Sequence, residues 1–151
     1  MNKKSLMGFG LLACLVLAGC GADWGADQHG AQVTSQQLDG QWLVINYWAE
    51  WCGPCRTEIP ELNALDKAHG DITVLGVNFD GLQGEELAAA STDLGIAFRV
   101  LSLDPAERLD LPRSAVLPVT YLVDREGKVR QQLVGEQTLE GLQEHLARLG
   151  R

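Results

Sequence analysis

A chain of 151 residues has room for one domain, and not comfortably for two. Its 46% apolar and 21% charged residues are ordinary for a globular chain able to bury a core. A net charge of −8 with no basic patch argues against nucleic acid as a partner.

The chain begins with Lys3 and Lys4 and then an uncharged apolar stretch, Leu6 to Ala18. That stretch is shorter than the roughly 20 residues a membrane-spanning helix needs. A basic start, a short apolar run and small residues after it read as an export signal, with a buried N-terminal helix as the competing reading. Leu17-Ala18-Gly19-Cys20 resembles the lipobox of bacterial lipoproteins. The resemblance implies cleavage before Cys20, lipidation of Cys20 and a lipid anchor on the membrane, each buried CH₂ adding about 0.8 kcal/mol. A plain secretory signal cut nearby is the alternative. Gly21, not Asp, follows Cys20, which by resemblance to lipoprotein sorting favours the outer membrane over the inner. Loss of residues 1–19 removes two of the 12 Lys and Arg and none of the 20 Asp and Glu, taking the net charge from −8 to −10.

Of the four cysteines, Cys14 would leave with the signal and Cys20 would be blocked by lipid, so Cys52 and Cys55 remain. Two thiols so close together, outside the reducing cytosol, do not make a structural disulfide framework. Residues 20–35 are rich in Gly, Ala, Asp and Gln without an apolar period and read as a flexible tether spanning roughly 20 Å. The folded domain is expected over 36–151.

Trp42 to Trp48 (WLVINYW) is a nearly continuous apolar run, as a central strand covered on both faces requires. Cys52 to His69 carries a helical pattern, with Pro54 in the tolerant first turn and Pro60 at a position expected to kink it. Ile72 to Phe79 predicts a strand, Gly84 to Leu94 a helix, Phe98 to Leu103 a short strand, and Pro105 to Leu111 a helical turn. Val119 to Asp124 and Lys128 to Val134 flank Arg125-Glu126-Gly127 as a hairpin. Thr138 to Leu149 is helical and stops at Gly150. Strands alternating with helices and closing in a hairpin imply an α/β fold, a mixed sheet with helices on both faces.

Trp51-Cys52-Gly53-Pro54-Cys55 falls between a predicted strand and a predicted helix. Thiol exchange needs a thiolate, and Cys52 at a helix N-terminus meets unpaired N–H groups and the positive end of the dipole. Cys55, one turn on, can attack a mixed disulfide formed on Cys52, and Gly53 and Pro54 hold the turn between them. Ala49 to Cys55 resembles the thioredoxin active site residue for residue. Leu117-Pro118 resembles the family's cis-proline, beside which the backbone holds a substrate chain, and Trp51 also belongs to the motif. The export signal and the stretch Gly81 to Leu111 resemble more closely the exported TlpA/ResA/DsbE-like branch, which includes cytochrome c maturation reductases. Thioredoxins carry a buried Asp six residues before the first redox cysteine; here that position is Asn46, which cannot accept a proton. By the same resemblance Glu58, three residues after Cys55, is the proton shuttle for Cys55, against the alternative of a solvent-facing helix carboxylate.

The resemblance implies a thioredoxin-like fold and an exported thiol:disulfide oxidoreductase on the periplasmic side of a membrane. It would reduce protein disulfides and be recharged by a membrane thiol-donor reductase, as a monomer with no cofactor beyond its own Cys52–Cys55 pair. Trp48 and Trp51 are expected to pack the motif, and His29, His69 and His145 to lie on the surface. A peroxiredoxin-like antioxidant enzyme and a non-catalytic binding module on the same scaffold are the rivals. The first wants an activated cysteine in a different motif, and the second would be expected to have lost a cysteine. No second Cys or His pair stands at zinc spacing, and no His stands near Leu117-Pro118 to complete a copper site.

Overall fold

The strand expected at Trp42–Trp48 forms (β1) and is buried on both faces along almost its whole length. The computed structural model describes residues 24–151; the expected signal and Cys20 lie outside the described residues. Five strands make one sheet in the order β3-β2-β1-β4-β5, with β2 at Ile72–Asn78, β3 at Arg99–Leu101, β4 at Val119–Val123 and β5 at Val129–Val134. β1 pairs in parallel with β2 and antiparallel with β4, so the sheet is mixed as expected. The parallel pair requires a crossover, supplied by the long helix α2 (Gly53–Ala68), with the short α1 (Ser35–Leu38) preceding β1. Helices α3 (Gly84–Asp93), α4 (Ala106–Leu109) and α5 (Leu139–Arg148) complete the chain. α2 runs unbroken through Pro60, which sits on its exposed side.

Alternation along β1 divides the core in two. Val44 and Trp48 face a layer with Ile59, Leu62 and Leu65 of α2, Leu87 of α3, and Leu142 and Leu146 of α5. Leu43 and Ile45 face a second layer with Leu38, Leu75, Leu109, Leu111 and Tyr121. Among the described residues, only the short helices α1 and α4 cover that second face, too little helix to seal it.

The rest of the cover corrects the sequence reading. Residues 24–35 are not a flexible tether; they form a strap docked on the domain. Trp24 donates its N–H to the Val33 carbonyl at 3.0 Å and Val33 returns one to Gly25 at 2.9 Å. Both Trp24 and Val33 are buried in the second layer, with the Arg108 guanidinium 5.1 Å from the Trp24 ring centre. The strap also covers the edge of the sheet. Ser102 N–H donates to the Ala26 carbonyl at 2.9 Å. The Gln28 amide acts as a piece of strand, accepting from Val100 N–H at 2.7 Å and donating to the Phe98 carbonyl at 3.1 Å. A bare edge would offer these groups to other chains. Thr34 and Gln37 then close a reciprocal capping box that starts α1.

Two smaller readings also change. His69 and His145 are half-buried, tied to Gln143 and Gln131, while His29 is exposed.

Trp24→Ala removes a large buried side chain from the second layer and is expected to lower the unfolding free energy by about 3 kcal/mol. Denaturant titration of the oxidised protein measures it. A midpoint equal to wild type would return the segment to a loose tether.

Candidate active site

β1 ends at Trp48, and the chain turns through Ala49-Glu50-Trp51 into α2. Cys52 is the N-cap of α2, in extended geometry (φ −86°, ψ 103°), and Cys55 N–H points at its Sγ at 3.2 Å. The two sulfurs are bonded at 2.04 Å, with Cα atoms 5.3 Å apart. Cys52 keeps 4% of its surface open and Cys55 none, so an attacking sulfur reaches Cys52 first. Gly53 and Pro54 are exposed beside it, and nothing stands within 4 Å of where a Gly53 side chain would begin. Pro54 lies in the first turn, where its missing N–H is not needed.

Leu117-Pro118 is a cis peptide bond, in agreement with the sequence expectation. Val119 pairs with Tyr47 in β1, which puts Pro118 next to the end of the strand that leads to Cys52. Pro118 is buried, and Leu117 packs on the core layer that contains both cysteines. Trp51 is placed differently from the sequence expectation. Trp48 is fully buried, but Trp51 is 64% exposed. Its indole N–H is held by Asp80 at 2.9 Å and its ring meets Phe79 edge-on at 6.3 Å. Trp51 thus lies at the surface beside Cys52 in the chain and does not fill the core.

Glu58 is no helix-surface carboxylate: it has no exposed area. α2 turns it inward one turn after Cys55, where Asn46 of β1 donates Nδ2–H to Oε1 at 2.7 Å. The Gln137 backbone N–H donates to Oε2 at 3.1 Å. Burial pushes the Glu58 pKa up to about 7; the two donors pull it part of the way back, and the nearby Glu136 charge adds to the push. A carboxyl titrating there can take or give a proton at working pH.

The structure therefore brings Trp51, Cys52, Gly53, Pro54, Cys55 and Glu58 together at the head of α2, with Leu117 and Pro118 just before the strand β4. The sequence reading noted Asn46 only as a departure from a pattern. It missed Asn46, Thr120 and Gln137 as partners of the buried carboxylate network. The signal available was Asn46 itself, one amide in the middle of an otherwise apolar central strand.

The AhpC/TSA family profile matches residues 20–132. A thiol-disulfide oxidoreductase, ResA, from Bacillus thuringiensis is 30% identical over 128 residues, covering 82% of this chain and 72% of that protein. Two crystal structures share the fold. One is a DsbF homologue from Corynebacterium diphtheriae, with TM-score 0.70, 23% identity and 82% of each chain covered. The other is a thiol:disulfide interchange protein from Chlorobium tepidum, with TM-score 0.68, 23% identity, and 82% of this chain and 90% of that one covered.

The raised Glu58 pKa has a consequence for stability. Its ionisation opposes folding, so its contribution is complete below the ordinary value of 4.5 and is lost as pH rises through about 7. Wild type should lose about 3 kcal/mol over that window relative to Glu58→Gln. Unfolding titrations of both oxidised proteins from pH 4 to 8 measure the difference. Parallel curves would mean that Glu58 does not titrate there.

Proposed function

The chain belongs to the AhpC/TSA family and is a thiol-disulfide oxidoreductase, and we propose that it works as a reductant of protein disulfides outside the cytoplasm. The observation that carries this reading is the Cys52–Cys55 disulfide at the head of α2 with the buried Glu58 one turn behind it.

The cycle starts from the dithiol. The Cys52 thiolate attacks one sulfur of a substrate disulfide, forming a mixed disulfide and expelling the substrate's other sulfur as a thiolate. Cys55 then passes its proton to the Glu58 carboxylate, and the resulting thiolate attacks Cys52 Sγ. The Cys52–Cys55 disulfide forms, the second substrate sulfur leaves, and both electrons have passed to the substrate. Glu58 suits this step because Cys55 has no open surface from which water could take its proton. Trp51, Gly53, Pro54, Leu117 and Pro118 form the platform on which the substrate chain would lie. A donor of two thiols on the membrane would recharge the pair, and no cofactor enters the cycle. Maturation of c-type cytochromes is one process that needs such a reductant.

The lipid anchor on Cys20 is supported by the lipobox resemblance. The docked strap changes what that anchor would do. Four chain steps separate Cys20 from buried Trp24, at most about 14 Å of extended backbone. The domain would sit against the bilayer surface, not swing on a long tether, and the resemblance of Gly21 to lipoprotein sorting patterns favours the outer membrane over the inner. The domain itself would act as a monomer.

Reduced protein should reduce insulin disulfides. Cys52→Ala should abolish the activity, and Cys55→Ala should accumulate a mixed disulfide through Cys52. Glutathione equilibration should give a potential near that of thioredoxin, about −270 mV; a value above about −180 mV would overturn the reductant assignment. Intact mass of protein purified from its own membranes should show diacylglyceryl-Cys20 as the first residue. An unmodified N-terminus elsewhere would remove the anchor.

A further inference from the structure

The Asn46 amide stands between two groups that can each change hydrogen-bonding role. Its Nδ2 donates to Glu58 Oε1 at 2.7 Å and to Thr120 Oγ1 at 3.0 Å. Its Oδ1 is buried and has no partner. All three side chains are buried: Asn46, Glu58 and Thr120 each have no exposed area. Every proton in this network must therefore be accounted for inside the protein.

With Glu58 ionised, the observed arrangement serves the carboxylate well, since both oxygens accept and the orphan is one amide oxygen. Protonation reverses the requirement. A carboxyl O–H on Oε1 would face the Nδ2 donor, and one on Oε2 would face the Gln137 N–H. Half a turn about the Asn46 Cβ–Cγ bond exchanges amide oxygen and nitrogen, which have nearly the same shape. Oδ1 could then accept the Glu58 O–H and the Thr120 O–H together, using both lone pairs. The orphan would become Nδ2.

We propose that Asn46 is a positioning residue that toggles with Glu58: its amide donates to the ionised carboxylate and, after half a turn, accepts from the protonated carboxyl. This inference rests on the proton-shuttle role proposed for Glu58. Each arrangement leaves one buried amide atom unpartnered, so the protonation state of Glu58 decides between them. An amide is the side chain that can offer both roles without carrying charge. Asp at this position would place a second carboxylate against Glu58, and Leu would serve neither state.

The other groups facing Glu58 do not replace this function. On its own helix Cys55 precedes it by a turn, and Glu61 accepts from Leu139 N–H at 2.9 Å. From β4 comes only the neutral Thr120. From the segment before α5 come the fixed Gln137 N–H and the exposed Glu136, whose charge raises the Glu58 pKa without contacting it through a hydrogen bond.

The test uses the oxidised protein without substrate, labelled with ¹³C and ¹⁵N. At pH 9 the Asn46 Nδ2 protons should show nuclear Overhauser contacts to the Glu58 and Thr120 side chains. At pH 5 those contacts should be lost, and the Asn46 side-chain ¹⁵N shift should titrate with the same midpoint as Glu58 ¹³Cδ. In Glu58→Gln the pH dependence of Asn46 should vanish. Asn46→Leu, which takes the donor from the carboxylate, should raise the Glu58 midpoint by at least one pH unit, a tenfold change in proton affinity. Contacts that persist at pH 5, or an Asn46 midpoint different from that of Glu58, overturn the toggle, whether or not the Leu variant folds. Because nothing here reads turnover, failure of the toggle leaves the reductase reading standing. Failure of insulin reduction with a working toggle would do the reverse.

Discussion

Burial of β1 on both faces is the constraint on which the rest of the protein depends. A strand buried on both faces needs two layers of cover, and the described residues have long helices enough for one. α2, α3 and α5 seal the side of Val44 and Trp48. The side of Leu43 and Ile45 is left to two single-turn helices, so the N-terminal strap with Trp24 and Val33 becomes part of the core. The same strand delivers the chemistry. Where β1 leaves the sheet, the backbone turns directly into α2, and the turn residues carry the redox pair to the one end of that helix where unpaired N–H groups favour a thiolate.

The same burial sets the terms for Glu58. A carboxyl on α2 that faces β1 must enter a buried layer, where its charge is costly. The fold does not remove that cost; it supplies two donors, Asn46 and Gln137, that offset part of it and leave the group balanced between states. A third donor or a buried cation would hold the carboxylate permanently charged, and no donor would hold it permanently neutral. Either would be incompatible with the proton-carrier role proposed for it. Stability lost on ionisation and the proposed shuttle role would thus be two consequences of the same placement.

How much was legible follows from which physical signals are local. The apolar run at 42–48, the helical spacing at Ile59, Leu62 and Leu65, and the Gly-containing hairpin turn are local, and each element formed where its pattern stood. The redox pair was legible because Trp51 to Cys55 is a compact motif whose position between strand and helix is itself the mechanism. The strap was not legible. Trp24 and Val33 are lone apolar residues without a period, and what docks them is an unfilled sheet face contributed by residues far along the chain. Trp51 misled for a related reason. Its size suggested packing, but Asp80 and Phe79, which hold it at the surface, come from the segment just beyond β2.

The electrostatics around Cys52 bear on why the pair would serve as a reductant. A strongly stabilised thiolate makes the dithiol form too favourable and turns such a pair into an oxidant. Arg56, one residue past Cys55, is the nearest cation in sequence and could have played that part. Its guanidinium is instead held by the Glu50 carbonyl, through Nε at 2.9 Å and a second contact from its terminal nitrogen. The chain as a whole is acidic, with a net charge of −8, and the exposed Asp80 holds the Trp51 indole while the exposed Glu50 precedes it in the chain. The Cys52 sulfur itself is met by backbone, the Cys55 N–H at 3.2 Å at the open end of α2. Backbone donors at a helix end lower a thiol's pKa moderately without the added pull of a neighbouring cation. In the proposed reductant cycle such a thiolate would serve as the nucleophile while the disulfide stayed the preferred resting state, the balance a donor of electrons needs.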